Sequence, residues 1–372
     1  MPHIMKQMIS FFLTTKCNLN CIYCYNSVER NKVKDITLPF ECAKSGIDWY
    51  WANTSSRHIR FYGPGEPTQA YELMRKITEY AKGKSDKVTM EIQTNGVFNA
   101  KVREWLLNNA NIIWLSFDGT PDIQNHNRPV RNGKPSSPII ESNAKWLIKH
   151  SNERDLMVGA RVTMTDNNND RQIEMVDYFS SLGIKYIWTN PLFYSVDEKP
   201  VCFDIEKQST FHFNMDEYIK RYLEARIYAE KKGVFWGSFL AVNFDGESCY
   251  NCRACSPTPH LTPDGYLSAC DMVVLGQNAH HMDCLIYGRW DSNSKKFELD
   301  NEKIRSLRER KSTNLSLQHC NQCEVRLHCG GYCLGEVVNE TGKLNGIPSK
   351  CSAVKRLYHE IGECQPYPFL HP

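Results

Sequence analysis

The first 190 residues alternate short apolar, β-branched or aromatic runs with longer stretches whose apolar residues recur at helical spacing. The short runs predict strands near 8–14, 57–62, 87–93, 111–117, 156–163 and 184–190. The longer stretches predict helices near 39–53, 69–83, 100–110, 139–150 and 169–182. Regular β-α alternation implies a parallel sheet, because parallel neighbours need a crossover and a helix is its usual form. Gly63, Gly96, Gly119 and the run Thr165-Asp166-Asn167 fall just past strand ends. Ligand-binding loops collect there in parallel α/β folds, so the expected fold class is an α/β partial (β/α)6 TIM-like barrel with its site at one rim.

A proline- and aromatic-containing connection, 190–213, leads to an amphipathic helix near 214–232. From Gly237 to Cys364 the pattern becomes Gly-Pro-Cys punctuation with few periodic helices, as expected where metal sites stand in for an apolar core. The expected organisation is a barrel over 1–212, a connecting helix over 213–236, a cysteine-rich domain over 237–364 and a tail over 365–372. No internal repeat or low-complexity tract is evident.

Composition narrows the function classes. With 45 Lys and Arg against 42 Asp and Glu, the net charge is only +3 and no long basic run exists, which argues against nucleic acid as a partner. The apolar run over 8–13 is too short to span a membrane and lacks a signal-peptide cleavage pattern, so a cytoplasmic protein without membrane attachment is expected. In a reducing compartment the 16 cysteines point to metal rather than to disulfides. They also cluster: four lie by Cys42, then only Cys202 before eleven from Cys249 onward.

Cys17, Cys21 and Cys24 make a Cys-x3-Cys-x2-Cys spacing directly after an apolar strand. Three thiolates on a four-iron cluster leave one iron open to an exogenous ligand, whereas an electron-transfer 4Fe-4S cluster is closed by four. A structural zinc site is the alternative, although zinc motifs usually come as Cys-x2-Cys pairs. The motif, with Tyr23 before its last cysteine, resembles that of the radical S-adenosylmethionine (SAM) superfamily. The resemblance implies that the open iron chelates the methionine end of SAM and that one electron then breaks a C–S bond to release a 5'-deoxyadenosyl radical. An external electron donor of flavodoxin or ferredoxin type is implied as well.

Further elements match in order and type. Phe61-Tyr62-Gly63-Pro64-Gly65-Glu66-Pro67 resembles the family's Gly-Gly-Glu-Pro loop, with Pro64 replacing its first glycine, and makes Gly63, Gly65 and Glu66 candidate SAM contacts. Gln93 and Asn95, in Gln-Thr-Asn-Gly, and Ser116, in Ser-Phe-Asp-Gly, are further candidates. Arg128 is the candidate carboxylate partner, since a guanidinium binds carboxylate bidentately. Taken singly, each also reads as a turn residue or a solvated charge.

Toward the C-terminus, Cys255-x9-Gly265-x4-Cys270, then Cys320-x2-Cys323-x5-Cys329-x3-Cys333 and Cys351 resemble the SPASM extension of radical enzymes that modify peptides and proteins. With Cys249 there are eight thiolates, enough for two auxiliary 4Fe-4S clusters, three clusters in all. The resemblance implies Cys249, Cys255, Cys270 and Cys333 for the first and Cys320, Cys323, Cys329 and Cys351 for the second. Cys252 leaves the choice within Cys249-x2-Cys252-x2-Cys255 open. Cys42, Cys202, Cys284 and Cys364 lack metal-like spacing and are expected as buried thiols. Asp271 matches an aspartate that in relatives takes a proton from the substrate radical, though a turn role is equally open.

The expected activity is therefore a radical maturase acting on a peptide or protein, giving an oxidation, crosslink, thioether or epimerisation. Its motif order resembles anaerobic sulfatase-maturating enzymes. No segment before the first strand is long enough for a leader-binding domain, so peptide recognition is expected at the rim, in the second domain or through a partner. The alternatives are radical dehydrogenation of a small molecule and a zinc-stabilised binding module.

Overall fold

The computed structural model describes residues 7–24, 35–151, 154–192, 213–315 and 318–364. Cys202, the 365–372 tail and most of the 190–213 connection lie outside them.

Six strands run parallel and in chain order: β1 (Ile9–Phe12), β2 (His58–Tyr62), β3 (Thr89–Thr94), β4 (Ile112–Ser116), β5 (Met157–Met164) and β6 (Tyr186–Pro191). The crossovers are α1 (Phe40–Asn53), α2 (Tyr71–Lys84), α3 (Ala100–Asn109), α4 (Pro121–Asn127), α5 (Ser137–Ser151) and α6 (Gln172–Ser181). Each expected strand and helix is present within a few residues; α4 is additional.

Alternation along the strands explains which face meets the helices. Ile9, Phe11, Ile59, Phe61, Met90, Ile92, Ile113, Leu115, Ala160, Val162 and Ile187 point one way and join Ile47, Ile77, Leu106, Leu147 and Val176 of the helices in one core. Removing a side chain such as Phe61 from water contributes roughly 2–3 kcal/mol. The opposite face is unlike a parallel-sheet interior. It presents Arg60, Glu91, Arg161, Gln93 and Ser116 among the aromatic rings of Trp114 and Trp188.

Beyond β6 comes α7 (Met215–Lys231), capped by the Asn214 side chain accepting from the Glu217 N–H, and then a seventh parallel strand, β7 (Phe235–Ser238). This strand falls where the helix was expected to hand over to a second domain. The cysteine-rich region also joins the same sheet. β8 (His260–Leu261) pairs parallel with the free edge of β1, and β9 (Tyr266–Ser268), β10 (Ile286–Asp291) and β11 (Lys296–Leu299) add antiparallel strands outside it. The result is one mixed sheet of eleven strands, ordered β11-β10-β9-β8-β1-β2-β3-β4-β5-β6-β7.

Nor does metal binding replace the core here. α8 (Asn301–Glu309), the short helices α9 (Gln318–Asn321) and α10 (Arg326–Cys329), α11 (Leu334–Thr341) and α12 (Cys351–Ile361) follow. They contribute Leu307, Leu334, Val337, Val338, Val354 and Leu357 to the apolar cluster that fills the rest of the fold. Punctuation by Gly, Pro and Cys hid these helices because they are short and interrupted. Cys42 and Cys364 are buried as expected and Cys284 is half-buried.

Candidate active site

The loop after β1 carries Cys17, Cys21 and Cys24, and its shape is dictated by backbone bonds to the segment after β4. The Asn20 and Ile22 N–H groups donate to Pro129 O and Asn127 O, and Arg131 N–H donates to Asn18 O. A second support is the Gly65-Glu66 turn after β2: Gly65 N–H donates to Thr14 O and Glu66 N–H to Lys16 O. A Cβ at Gly65 would lie 2.2 Å from Lys16 O and 2.6 Å from Thr14 O, so only glycine permits this approach. Pro64 donates nothing to the arrangement, and the glycine that the close contact needs is retained.

Glu66 is buried and both its oxygens are used: Oε1 accepts from Thr68 N–H, Thr68 Oγ1 and Thr94 Oγ1, and Oε2 from Asn95 N–H. It thereby ties the β2 and β3 loops together. Burial pushes its carboxyl above the usual range against those hydrogen bonds. Asn95 donates 2.7 Å to Asn18 Oδ1, with Cys17 Sγ 3.9 Å from the same nitrogen. Gly96 takes the positive φ of 74° that turns the chain away.

Arg128 is held by a carboxylate of this chain: its Nε is 3.1 Å from Asp118 Oδ2, and its Nη1 lies 3.8 Å from Cys21 Sγ. Asp118, fully buried, also receives the Tyr23 hydroxyl, the Asn127 amide and the Thr163 N–H. Tyr23 therefore packs under the Arg128 guanidinium, 5.1 Å from it, rather than standing free. Burial pushes the Cys21 thiol up, with Arg128 opposing and the charges of Cys24 and Cys17 adding to the rise. A thiol so buried ionises more readily beside a cation, and cation-stabilised thiolates are the donors an iron cluster takes.

A cavity of about 330 Å³ opens on the polar face of the sheet. Cys17, Cys21 and Cys24 line it, as do Tyr23, Gly63, Gly65, Glu66, Gln93, Asn95, Ser116 and Arg128. So do Cys252, Cys270 and Cys333 from the C-terminal region. Cys249, Cys255, Cys320, Cys323, Cys329 and Cys351 do not. Electrostatic neighbourhoods sort these thiols into two sets. Cys252 bears on Cys255, Cys270 and Cys333, while Cys249 bears on Cys255. Cys320 and Cys329 each feel Cys351 and Cys323. No disulfide joins the described cysteines, and no three His, Cys, Asp or Glu side chains among the described residues converge on a single-ion site.

Asp271, also on the cavity wall, accepts from Arg60 Nη1 at 2.8 Å and stands 2.9 Å from His260 Nδ1. Burial alone would raise its pKa, but Arg60 and His260 hold it well below the usual carboxylate range. Arg60 in turn meets Glu91, whose other oxygen faces His58. Sequence reasoning missed Arg60, Glu91, Arg161, His260 and Trp188. The available signal was charge at the centre of apolar parallel strands, as in His-Ile-Arg-Phe-Tyr and Gly-Ala-Arg-Val-Thr.

No helix among the described residues is long and apolar enough to cross a membrane. The model of the radical SAM superfamily matches residues 11–192. An uncharacterized protein of Methanocaldococcus jannaschii, MJ0907, is 32% identical over 49% of this chain and 61% of its own length, so this match spans less than two thirds of that relative. The serine-type anaerobic sulfatase-maturating enzyme of Klebsiella aerogenes is 25% identical over 85% of this chain and 76% of its own. In structure, the native sulfatase-maturating enzyme anSMEcpe with bound AdoMet superposes with a TM-score of 0.73 at 19% identity, covering 95% of this chain and 96% of that one. Cysteine motif, strand order and family match agree, and residues 11–192 of this chain belong to the radical SAM superfamily.

Proposed function

We propose that this enzyme reductively cleaves SAM and uses the radical to take hydrogen from a peptide or protein, as its likeness to sulfatase-maturating enzymes suggests. The carrying observation is one cavity lined both by Cys17, Cys21 and Cys24 and by Cys252, Cys270 and Cys333. In this reading residues 1–212 form a partial (β/α)6 TIM-like barrel, 213–236 a connecting element and 237–364 the auxiliary domain. Three 4Fe-4S clusters would supply the electron that cleaves SAM and accept the electron the substrate gives up.

The residues of the chain do the rest. Cys17, Cys21 and Cys24 would hold the first cluster; Asn95 and Arg128 direct N–H groups at Cys17 and Cys21 and would stabilise negative charge there. Gly63, Gly65, Gln93 and Ser116 stand where SAM would lie, and Glu66 fixes the two loops that contact it. Cys320, Cys323, Cys329 and Cys351 hold the distal auxiliary cluster, and Cys255, Cys270 and Cys333 the proximal one with Cys249 or Cys252. The neighbourhood of Cys252 favours Cys252. Asp271, kept ionised by Arg60 and His260, takes the proton released when the substrate radical is oxidised. Electrons arrive from an external flavodoxin- or ferredoxin-type donor, in a reducing cytoplasm.

Anaerobic purification with iron and sulfide analysis tests this reading. About twelve irons with matching sulfide are expected by ligand arithmetic. Replacing Cys17, Cys21 and Cys24 together by Ala should leave about eight and abolish 5'-deoxyadenosine formation. Zinc without sulfide, or SAM cleavage by the triple variant, overturns it.

A further inference from the structure

The polar face of the sheet holds a positive charge, Arg161, that forms no ion pair among the described residues. Arg161, on β5, lies in register with Ser116 on β4 and Trp188 on β6 and is only 7% exposed. Its guanidinium lies 4.5 Å from the Trp114 ring and 4.9 Å from that of Phe239. Among the described residues its Nε and Nη2, sealed from solvent, have no hydrogen-bond partner, and no ion pair includes it. The residue nevertheless lines the cavity.

A buried guanidinium without an acceptor is costly, because desolvation is not repaid by a counter-charge. The surroundings sharpen that cost. Arg60 and Arg253 also line the cavity and add like charge, against Glu91 and Asp271, which are already engaged by Arg60, His58 and His260. Three guanidiniums face two carboxylates. Burial and the repulsion of Arg60 pull the Arg161 pKa down to about 9. Asp271 and Glu91 both act on Arg253 as opposite charges, whereas Glu91 is the one carboxylate among the charges that act most on Arg161.

We infer that Arg161 is a specificity-determining residue that receives a carboxylate of the substrate, the side chain of an acidic residue in the peptide. This rests on the peptide-maturase reading. A carboxylate is the ligand whose negative charge and acceptor oxygens answer a guanidinium. SAM also carries a carboxylate, and Ser116, in register with Arg161, is a candidate SAM contact; the substrate is favoured because the charges that act most on Arg161 are those of Arg60, Glu91, Tyr62 and Arg253, whereas Asp118, Tyr23 and Cys21 act most on Arg128 beside the first cysteine loop. The stacked aromatic rings keep the guanidinium plane fixed, so it is organised before the ligand arrives.

The test uses the anaerobically reconstituted, SAM-loaded enzyme and two capped hexapeptides, Gly-Gly-Ser-Glu-Gly-Gly and its Gln counterpart, titrated by calorimetry. The wild type should bind the Glu peptide about tenfold more tightly than the Gln peptide. Arg161→Gln should abolish that preference, and Arg161→Lys should restore part of it, with iron content reporting that each variant is folded. Equal affinity for the two peptides, no measurable binding of either to wild type, or a preference surviving in Arg161→Gln would overturn the inference. A parallel titration with SAM and decarboxylated SAM separates the two sources. If Arg161→Gln weakens SAM at least tenfold and leaves its decarboxylated analogue unaffected, the carboxylate belongs to the cofactor and the substrate assignment fails. Failure of the maturase reading shows separately, as absent 5'-deoxyadenosine and iron in the wild type.

Discussion

Arg60 Nη1 and Asp271 Oδ2 lie 2.8 Å apart, although 211 residues separate them in the chain. One residue sits mid-strand in β2 and the other directly follows Cys270, so this pair joins the parallel sheet to the cysteine-rich region. His260, on β8, binds the second oxygen of the same carboxylate and extends the link to the strand that pairs with β1. A charge-assisted pair in this position fixes the Asp271 carboxylate relative to two sets of thiols.

Replacing Asp271 by Asn should separate the two halves of the proposed reaction. The amide cannot take the proton, so product formation should fall by roughly a hundredfold or more, while 5'-deoxyadenosine continues to form. Stability should fall by roughly 1–3 kcal/mol, since Arg60 keeps Glu91 but loses its partner on the other side. Mass spectrometry of product beside chromatography of 5'-deoxyadenosine reads both, and product at the wild-type rate would remove Asp271 from the mechanism.

Gly65→Ala should damage the first cysteine loop without disturbing the auxiliary region. The added carbon meets backbone carbonyl atoms of Thr14, Thr15 and Lys16 and no flexible side chain, so the turn must move, at a cost of roughly 3 kcal/mol or more. Reconstituted protein should lose about four irons, with SAM binding lost in step. A full complement of iron in this variant would show that the loop tolerates the shift.

Glu91 gives the fold an acid-sensitive contribution. Burial would raise its pKa, but the His58 hydrogen bond and the Arg60 charge overcome that and hold it at about 2. The folded value is depressed, so the stabilisation is complete above the unfolded pKa near 4.3 and disappears as pH falls toward 2. Roughly 3 kcal/mol is at stake. Urea midpoints between pH 6 and pH 2.5 should decline less steeply for Glu91→Gln than for wild type; parallel curves would exclude this pair as the cause.

Single Cys249→Ala and Cys252→Ala variants should differ in iron content. Cys252 lines the cavity and acts on Cys255, Cys270 and Cys333, so its removal should cost about four irons, whereas Cys249→Ala should retain them. The reverse result would assign Cys249 as the ligand and leave Cys252 as a thiol on the cavity wall.

The order of strands and helices was legible in the sequence because apolar periodicity is a local property. Three cysteines within eight residues were legible for the same reason: their spacing alone limits what they can bind. The seventh strand and the joining of β8 to β1 were not, because a two-residue strand carries no period and its pairing depends on an edge that the rest of the fold leaves open. Arg128 illustrates the limit at the site. Its guanidinium suggested a ligand's carboxylate, but only folding brings Asp118 under it.

By itself, then, the sequence determined the α/β alternation and the Cys-x3-Cys-x2-Cys motif that resembles the radical SAM superfamily. Tertiary structure decided that Cys252, Cys270 and Cys333 share one cavity with Cys17, Cys21 and Cys24, that Asp271 is held by Arg60 and His260, and that Arg161 Nε and Nη2 have no hydrogen-bond partner among the described residues. Local spacing fixes what a segment can form or bind. Whether a charge is paired depends on residues far apart in the chain, brought together only when the sheet assembles.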